Sequence, residues 1–521
     1  MALSDILRHV SARARYAVSA PAPLRTTRKG ALVRCLAAFS RCRPASAALR
    51  KTPAALAACV LLAPNYASAA APGHAFEGSQ LGLVWIAPFA GLLLSIAFGP
   101  VAAPNFWHHH YGKITLFWGM AFLVPFLAFV GAAVTADELL HVLLLEYLPF
   151  IILIASLFTI ASGIFVGGNL HGSPRVNTAF LAAGTGLASL VGTTGASIIL
   201  IRPLLRANDD RRHNAHTVVF FIFLVSNIGG SLTPLGDPPL LIGFLKGVDF
   251  FWPLRAMWLP LLVTSGALLA MFFVLDSYLY RTEGHLPRDP TPDRPVRVTG
   301  LVNLVLLILI MGIVLMSSAI GDLGTIPVRN FEVPVAGLLR DVSIAGLAFV
   351  SLKVTPIGIR EANRFSWEPM LEVAKLFGGI FVTIIPAIAI LRAGEAGALA
   401  PLLALITNPD NTPNNVMYFW LTGILSSFLD NAPTYLIFFN AAGGDAELLQ
   451  NTLPVTLLAI SAGAVFMGAN TYIGNAPNFM VKSIAERQNV RMPSFFGYML
   501  WSAGCLLPLF GLLTVLFFLG A

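Results

Sequence analysis

The chain has 521 residues, 56% of them hydrophobic and 11% charged, against about 45–50% apolar and about 25% charged in soluble domains. That composition excludes a water-soluble fold. The apolar residues come in blocks of about 20, the length with which a helix crosses a bilayer, and not in the alternating ten-residue strands of an outer-membrane barrel.

The formal net charge of +8 does not point to nucleic acid, because 11 of the 33 basic residues lie in the first 51 positions beside one acid, Asp5. An apolar run over 54–63 and then Ala67-Ser68-Ala69 follow. Basic, then apolar, then small is the order of a cleaved secretory signal. Residues 1–70 are therefore expected to be a signal peptide or N-terminal targeting segment, with a bacterial signal favoured over an organellar transit peptide. Three of the four cysteines, Cys35, Cys42 and Cys59, fall here and Cys505 lies in an apolar run, which leaves no disulfide framework or cysteine metal site for the rest.

Ten spans are predicted at about 82–103, 114–134, 140–167, 216–246, 253–280, 299–320, 335–354, 368–391, 453–482 and 495–520. Two further apolar stretches, about 177–205 and 398–440, have polar midpoints and are read as re-entrant hairpins. With that topology 16 basic residues fall in loops on one side and 5 on the other, the positive-inside asymmetry of an inner-membrane protein. Both the chain after cleavage and the C-terminus are then expected in the periplasm.

Shifting the sequence against itself by 238 residues aligns Gly230-Ser-Leu-Thr-Pro-Leu-Gly-Asp-Pro-Pro239 with Gly468-Ala-Asn-Thr-Tyr-Ile-Gly-Asn-Ala-Pro477. The same register places Ser189-Leu-Val-Gly-Thr-Thr-Gly-Ala196 on Ser427-Phe-Leu-Asp-Asn-Ala-Pro-Thr434. The expected fold is an all-α polytopic membrane protein, an inverted repeat of two halves at 80–285 and 299–521 joined by a cytoplasmic linker at 286–298. Each half has five transmembrane helices and one hairpin, and because five is odd the second copy lies inverted.

The clustered Pro and Gly of 226–239 and 468–478 cannot sustain helical hydrogen bonding. Broken helices at the membrane midplane are predicted there, with half-helix ends free to meet an ion or substrate. Asp237 and Asp430 stand in these apolar surroundings, where an ionised carboxylate costs roughly 2.5–3.5 kcal/mol. With Asn227, Asn431, Asn470 and Asn475 they form an all-oxygen set suited to a hard cation such as Na+, which a proton could replace. Thr193, Thr194, Ser231, Thr233, Thr434, Thr471 and Asn478 are the candidate substrate contacts.

The Asn-Ile-Gly-Gly-x-x-Thr-Pro-Leu-Gly-Asp-Pro-Pro break, the Leu-Asp-Asn-Ala-Pro tip and the Gly-Ala-Asn-Thr-Tyr-Ile-Gly-Asn break resemble the ion-transporter superfamily, most closely its sodium/proton antiporter and citrate-transporter branch. The resemblance covers most of the chain after about residue 80. It implies ion and substrate sites at the hairpin tips and broken helices, and a scaffold that dimerises. Dicarboxylate carriers of the superfamily commonly show Ser-Asn-Thr at both tips, whereas this chain has Gly192-Thr193-Thr194 and Asp430-Asn431-Ala432. Two acids lean toward a sodium/proton antiporter working by alternating access. The alternative is a sodium- or proton-coupled citrate or carboxylate carrier. An enzyme is disfavoured, since HExxH, Gly-x-Gly-Asp and phosphate-cradling Gly-Lys motifs are missing. No cofactor is expected, and the partners are the transported ion or carboxylate and the lipid bilayer.

Other polar residues read more simply. Glu146 and Glu372 precede the two hairpins and are either relays or helix-end charges. Glu368, Glu372 and Lys375 are spaced for pairing along one helix face. His108, His109 and His110 are placed in a short loop, and Asp276 beside Arg281 reads as a boundary charge.

Overall fold

The computed structural model describes residues 76–169, 171–283, 294–320 and 323–520. The expected targeting segment 1–70, with Cys35, Cys42 and Cys59, and most of the 286–298 linker lie outside the described residues. Among the described residues eight helices are long and apolar enough to cross a membrane: Leu83–Pro100, Pro104–Val130, Ala132–Ala161, Ala215–Leu232, Trp252–Thr282, Val335–Val354, Glu368–Arg392 and Phe495–Phe518. Two shorter apolar helices, Leu301–Ser317 and Pro454–Asn470, complete a set of ten that falls on the ten predicted spans. The protein is a multi-pass membrane protein.

Burial sorts these helices. In Ala215–Leu232, 89% of the apolar window is buried, against 17% in Pro104–Val130, so the former is the centre and the latter a wall. The walls expose large apolar side chains such as Leu116, Phe117, Ile308, Val342, Phe496 and Leu500. Apolar exposure on that scale belongs against lipid.

The central elements are two hairpins and two interrupted helices. The first hairpin is α1 (Pro174–Val191) and α2 (Thr193–Ala207), reversed at Gly192, whose φ of 84° is left-handed and costs a glycine nothing. It is followed by α3 (Ala215–Leu224), a 3₁₀ turn at Ile228–Leu232 and α4 (Pro238–Leu245), then the long α5 (Trp252–Thr282). The second hairpin is α6 (Asn415–Phe428) and α7 (Asn431–Ala441). It is followed by α8 (Pro454–Met467), a 3₁₀ turn at Gly468–Asn470 and α9 (Ala476–Arg487). Both interruptions fall where Pro and Gly were predicted to break the helix.

Small residues bring the second hairpin close to α8. A Cβ on Gly463 would stand 2.6 Å from the Phe419 carbonyl oxygen, and one on Gly423 would overlap the Met467 sulfur. Without them the backbones could not approach closely enough for the Ser426 hydroxyl to donate to the Ala464 carbonyl at 2.6 Å.

The spans are all helical, as expected, and two short antiparallel ladders lie outside them, β1 (Phe165–Asn169) with β2 (Arg294–Thr299), and β3 (Thr325–Val328) with β4 (Phe331–Pro334). Several finer expectations are corrected. The second hairpin begins at Asn415, not at 398. Residues 400–406 form a separate short helix, because Pro401 opens it and Pro413 closes the loop behind it. His108, His109 and His110 lie on the first turns of Pro104–Val130, not in a loop; Pro104 starts that helix at its first position. Glu368 and Lys375 turn outward from their own helix, Glu368 to His108 at 3.4 Å and Lys375 over the Tyr111 ring. Glu146 pairs with Lys246 at 2.6 Å, whereas Glu372 sits beside Trp107 and His108.

Asp276 is the largest correction. It is fully buried and accepts from Arg211 at 2.8 Å, with His216 at 3.0 Å and Asn177 at 3.0 Å from its oxygens. Arg211 also donates to Glu283 at 2.7 Å, and Asn177 and Asn208 exchange amide bonds at 2.8 Å. Chain proximity suggested Arg281, but the partner comes from 65 residues away. This buried set ties both outer ends of the first hairpin to α3 and α5.

Candidate functional site

The four central elements meet at Asp237, which is 2% exposed. It is the residue before Pro238 at the start of α4, extended at φ −145° as a pre-proline residue prefers. Three neutral donors hold its carboxylate. Thr193 Oγ1 from the first hairpin tip lies 2.9 Å from Oδ1, Asn475 Nδ2 from the second break 3.1 Å from Oδ1, and Asn431 Nδ2 from the second hairpin tip 2.5 Å from Oδ2. Among the described residues Asp237 makes no ion pair with a basic side chain.

Asparagines carry the junction outward. Asn475 Nδ2 also reaches the Ser226 carbonyl and Asn227 Oδ1, both at 3.2 Å. Asn227 donates to Asn478 Oδ1 at 2.7 Å and to the Ile222 carbonyl at 2.8 Å. Asn478 in turn donates to the carbonyls of Gly468 at 2.8 Å and Thr471 at 2.9 Å. These amides satisfy carbonyls that the broken helices leave open, which buried backbone requires.

The two motifs share their bonding at the spacing of 238. Ser189 Oγ donates to Gly229 O at 2.5 Å, and Ser427 Oγ to Met467 O at 3.1 Å. Thr233 donates to the Ser189 carbonyl and Thr471 to the Ser427 carbonyl. Leu235 N and Ile473 N each approach those threonine hydroxyls at 3.2 Å. Each break is thus clamped to its own hairpin tip by one serine and one threonine. Ser189 and Ser427 were not among the candidate residues. Their signal in the sequence was their position at the head of the two aligned tip motifs.

The candidates now divide by what their polar atoms do. Thr233 and Thr471 bind their breaks to the hairpin tips, and Thr434 donates back to the Asp430 carbonyl at 3.0 Å. Asp430 does not meet Asp237 through a hydrogen bond; it caps α7, accepting from Ala432 N at 3.2 Å. Asn470 donates to Ser427 Oγ at 2.9 Å. The oxygens of Asn431 (Oδ1), Asn470 (Oδ1) and Ser231 (Oγ) are buried without a hydrogen-bond partner. Thr194 is half-buried at the start of α2, whose N-terminus has no side-chain cap. Of these, Asn431 Oδ1 belongs to the amide that donates to Asp237, and an unpartnered buried oxygen beside a buried carboxylate is what a small hard cation can satisfy.

No curated protein matches the chain. The family model described as "Putative citrate transport" (CitMHS_2) matches residues 78–518, which takes in both hairpins, both breaks and every residue around Asp237. That family, a member of the ion-transporter superfamily, consists of transporters and not enzymes, and this chain belongs to it.

Proposed function

We propose that the protein is a cation-coupled carrier of citrate or a related carboxylate, working by alternating access between two inverted halves. Sodium/proton exchange, the leading expectation from the sequence, gives way to its alternative because the family match favours a carboxylate. The observation that carries the proposal is the Asp237 junction, a buried carboxylate held only by neutral donors beside an unpartnered oxygen.

The coupling follows from electrostatics. An ionised Asp237 at membrane depth is costly while it lacks a counter-charge, and Na+ or a proton supplies one. Asn431 Oδ1, unpartnered on the amide bound to Asp237, is a further oxygen for the ion. The N-terminus of α2, with Thr193 and Thr194, then offers partial positive charge and hydroxyls to a substrate carboxylate. The corresponding end of α7 already carries Asp430 as its cap, so the two hairpins serve differently. Thr193 touches Asp237 directly, and an uncompensated Asp237 repels an anion at that helix end. Cation and carboxylate therefore favour each other's binding, and linkage makes the effect reciprocal. Inner-membrane location, periplasmic termini and dimerisation of the scaffold accompany this reading.

The deciding experiment is uptake of radiolabelled citrate into proteoliposomes holding the purified full chain, with an inward Na+ gradient, an inward proton gradient or neither. Uptake that requires one of the gradients is the expected result. Dissipation of a pH gradient by Na+ with no citrate present, and no citrate uptake, would restore the antiport reading.

A further inference from the structure

Away from the Asp237 junction, four basic side chains of the described residues converge without an acid among them. Arg202 and Arg206 stand one turn apart on α2, Arg364 lies in the turn after the helix Ile357–Ala362, and Arg487 closes α9. Arg202 is within electrostatic reach of the other three. Packing explains the convergence. Ile198, one turn before Arg202, shares an apolar cluster with Phe365, next to Arg364, and with Met480, two turns before Arg487.

Among the described residues the guanidinium groups of Arg202, Arg364 and Arg487 make no hydrogen bond or ion pair. Arg206 donates to the Val166 carbonyl at 2.8 Å and lies over the Phe165 ring, while its Nε is buried without a partner. The nearest acid along α9, Glu486, is taken by Lys482 at 2.8 Å. Arg255, by contrast, has Asp249 at 3.7 Å. Four guanidiniums converging without an acid among them repel one another unless an anion joins them, and the guanidinium fork suits phosphate and carboxylate oxygens.

We propose that Arg202, Arg206, Arg364 and Arg487 form an oxyanion-binding site where α2, α9 and the turn after Ile357–Ala362 meet. All four lie on the side to which the loop charges assign the cytoplasm, and the site is separate from the Asp237 junction. A phosphate headgroup of an anionic lipid and a free polycarboxylate share the chemistry it recognises.

The test measures binding, so it does not depend on transport. Melting of the purified full chain is followed in neutral detergent on titration with phosphatidylglycerol, with cardiolipin, with soluble citrate and with inorganic phosphate, and with phosphatidylcholine as control. At least one anion is expected to raise the melting temperature, more weakly at high salt. Arg202→Gln and Arg487→Gln should each weaken that anion about tenfold. Arg364→Gln, at an exposed turn, serves if the α2 variant fails to fold. A lipid response alone identifies a headgroup site, and a response to citrate or phosphate alone identifies a soluble-anion site. No response to any anion, or the same response in all three variants, overturns the proposal.

Discussion

Asn475 and Asp237 occupy the same place in the two copies of the broken-helix motif, and they touch: Asn475 Nδ2 lies 3.1 Å from Asp237 Oδ1. Their backbones are alike, at φ −151° and ψ 140° for Asn475 and φ −145° and ψ 145° for Asp237. Thr193 and Asn431, also 238 positions apart, are the other two donors to the same carboxylate. One charged member among these two pairs of corresponding positions makes the junction locally asymmetric, with a single acceptor and three donors.

Asp237→Asn should abolish gradient-driven citrate uptake while the protein still reaches the membrane in normal amount. The amide keeps the shape of the side chain and removes the charge that the coupling ion neutralises. Uptake by the variant at the wild-type rate would remove Asp237 from the mechanism.

Asp430 has a capping role that can be separated from any role of its charge. Asparagine caps a helix about as well as aspartate, and alanine costs about 1 kcal/mol. Asp430→Asn should therefore melt like the wild type and Asp430→Ala a few degrees lower, with uptake reduced at least about tenfold in both. Full activity in Asp430→Asn would leave the residue as a cap alone.

Gly236 and Gly474 close the two breaks. A Cβ on Gly236 would stand 2.1 Å from the Gly230 carbonyl oxygen, and one on Gly474 2.5 Å from that of Gly468. Since backbone and not a flexible side chain is in the way, Gly236→Ala should destabilise by about 1–3 kcal/mol and disturb Asp237, its neighbour. Gly186 on α1 has nothing within 4 Å of its Cβ position, and Gly186→Ala should be neutral or stabilising by up to about 1 kcal/mol. Thermal melts of the two variants provide the comparison.

Arg211 holds two buried carboxylates, Asp276 and Glu283. Arg211→Met should cost about 3–5 kcal/mol, because both acids lose their counter-charge. Asp276→Asn, which retains a hydrogen-bonding group for Asn177 and His216, should cost less. The amount of folded protein recovered from membranes, together with its melting temperature, reads the difference; equal losses would show that charge balance is not what the cluster provides.

The positions of the ten apolar helices and both breaks were legible in the sequence because they follow from local physics: apolar length, and Pro and Gly that cannot continue a helix. The alignment at a spacing of 238 needs only self-comparison, and it pairs Asp237 with Asn475 and Thr193 with Asn431, four residues that meet in the structure. Tertiary structure alone decided which polar atoms remain available. Thr233, Thr434 and Thr471 look like ligands by residue type, yet the hydroxyls of Thr233 and Thr471 satisfy carbonyls of the hairpin tips and that of Thr434 a carbonyl one turn back. Asp430 was an isolated acid in sequence and is a helix cap in space, whereas Asp276 read as a boundary charge and is bonded to residues 60, 65 and 99 positions away. Bonds between distant segments leave no periodicity in a sequence. The carboxylate at the centre could be found from its scarcity among apolar neighbours, but the donors that surround it are set by how the two hairpins and two breaks pack.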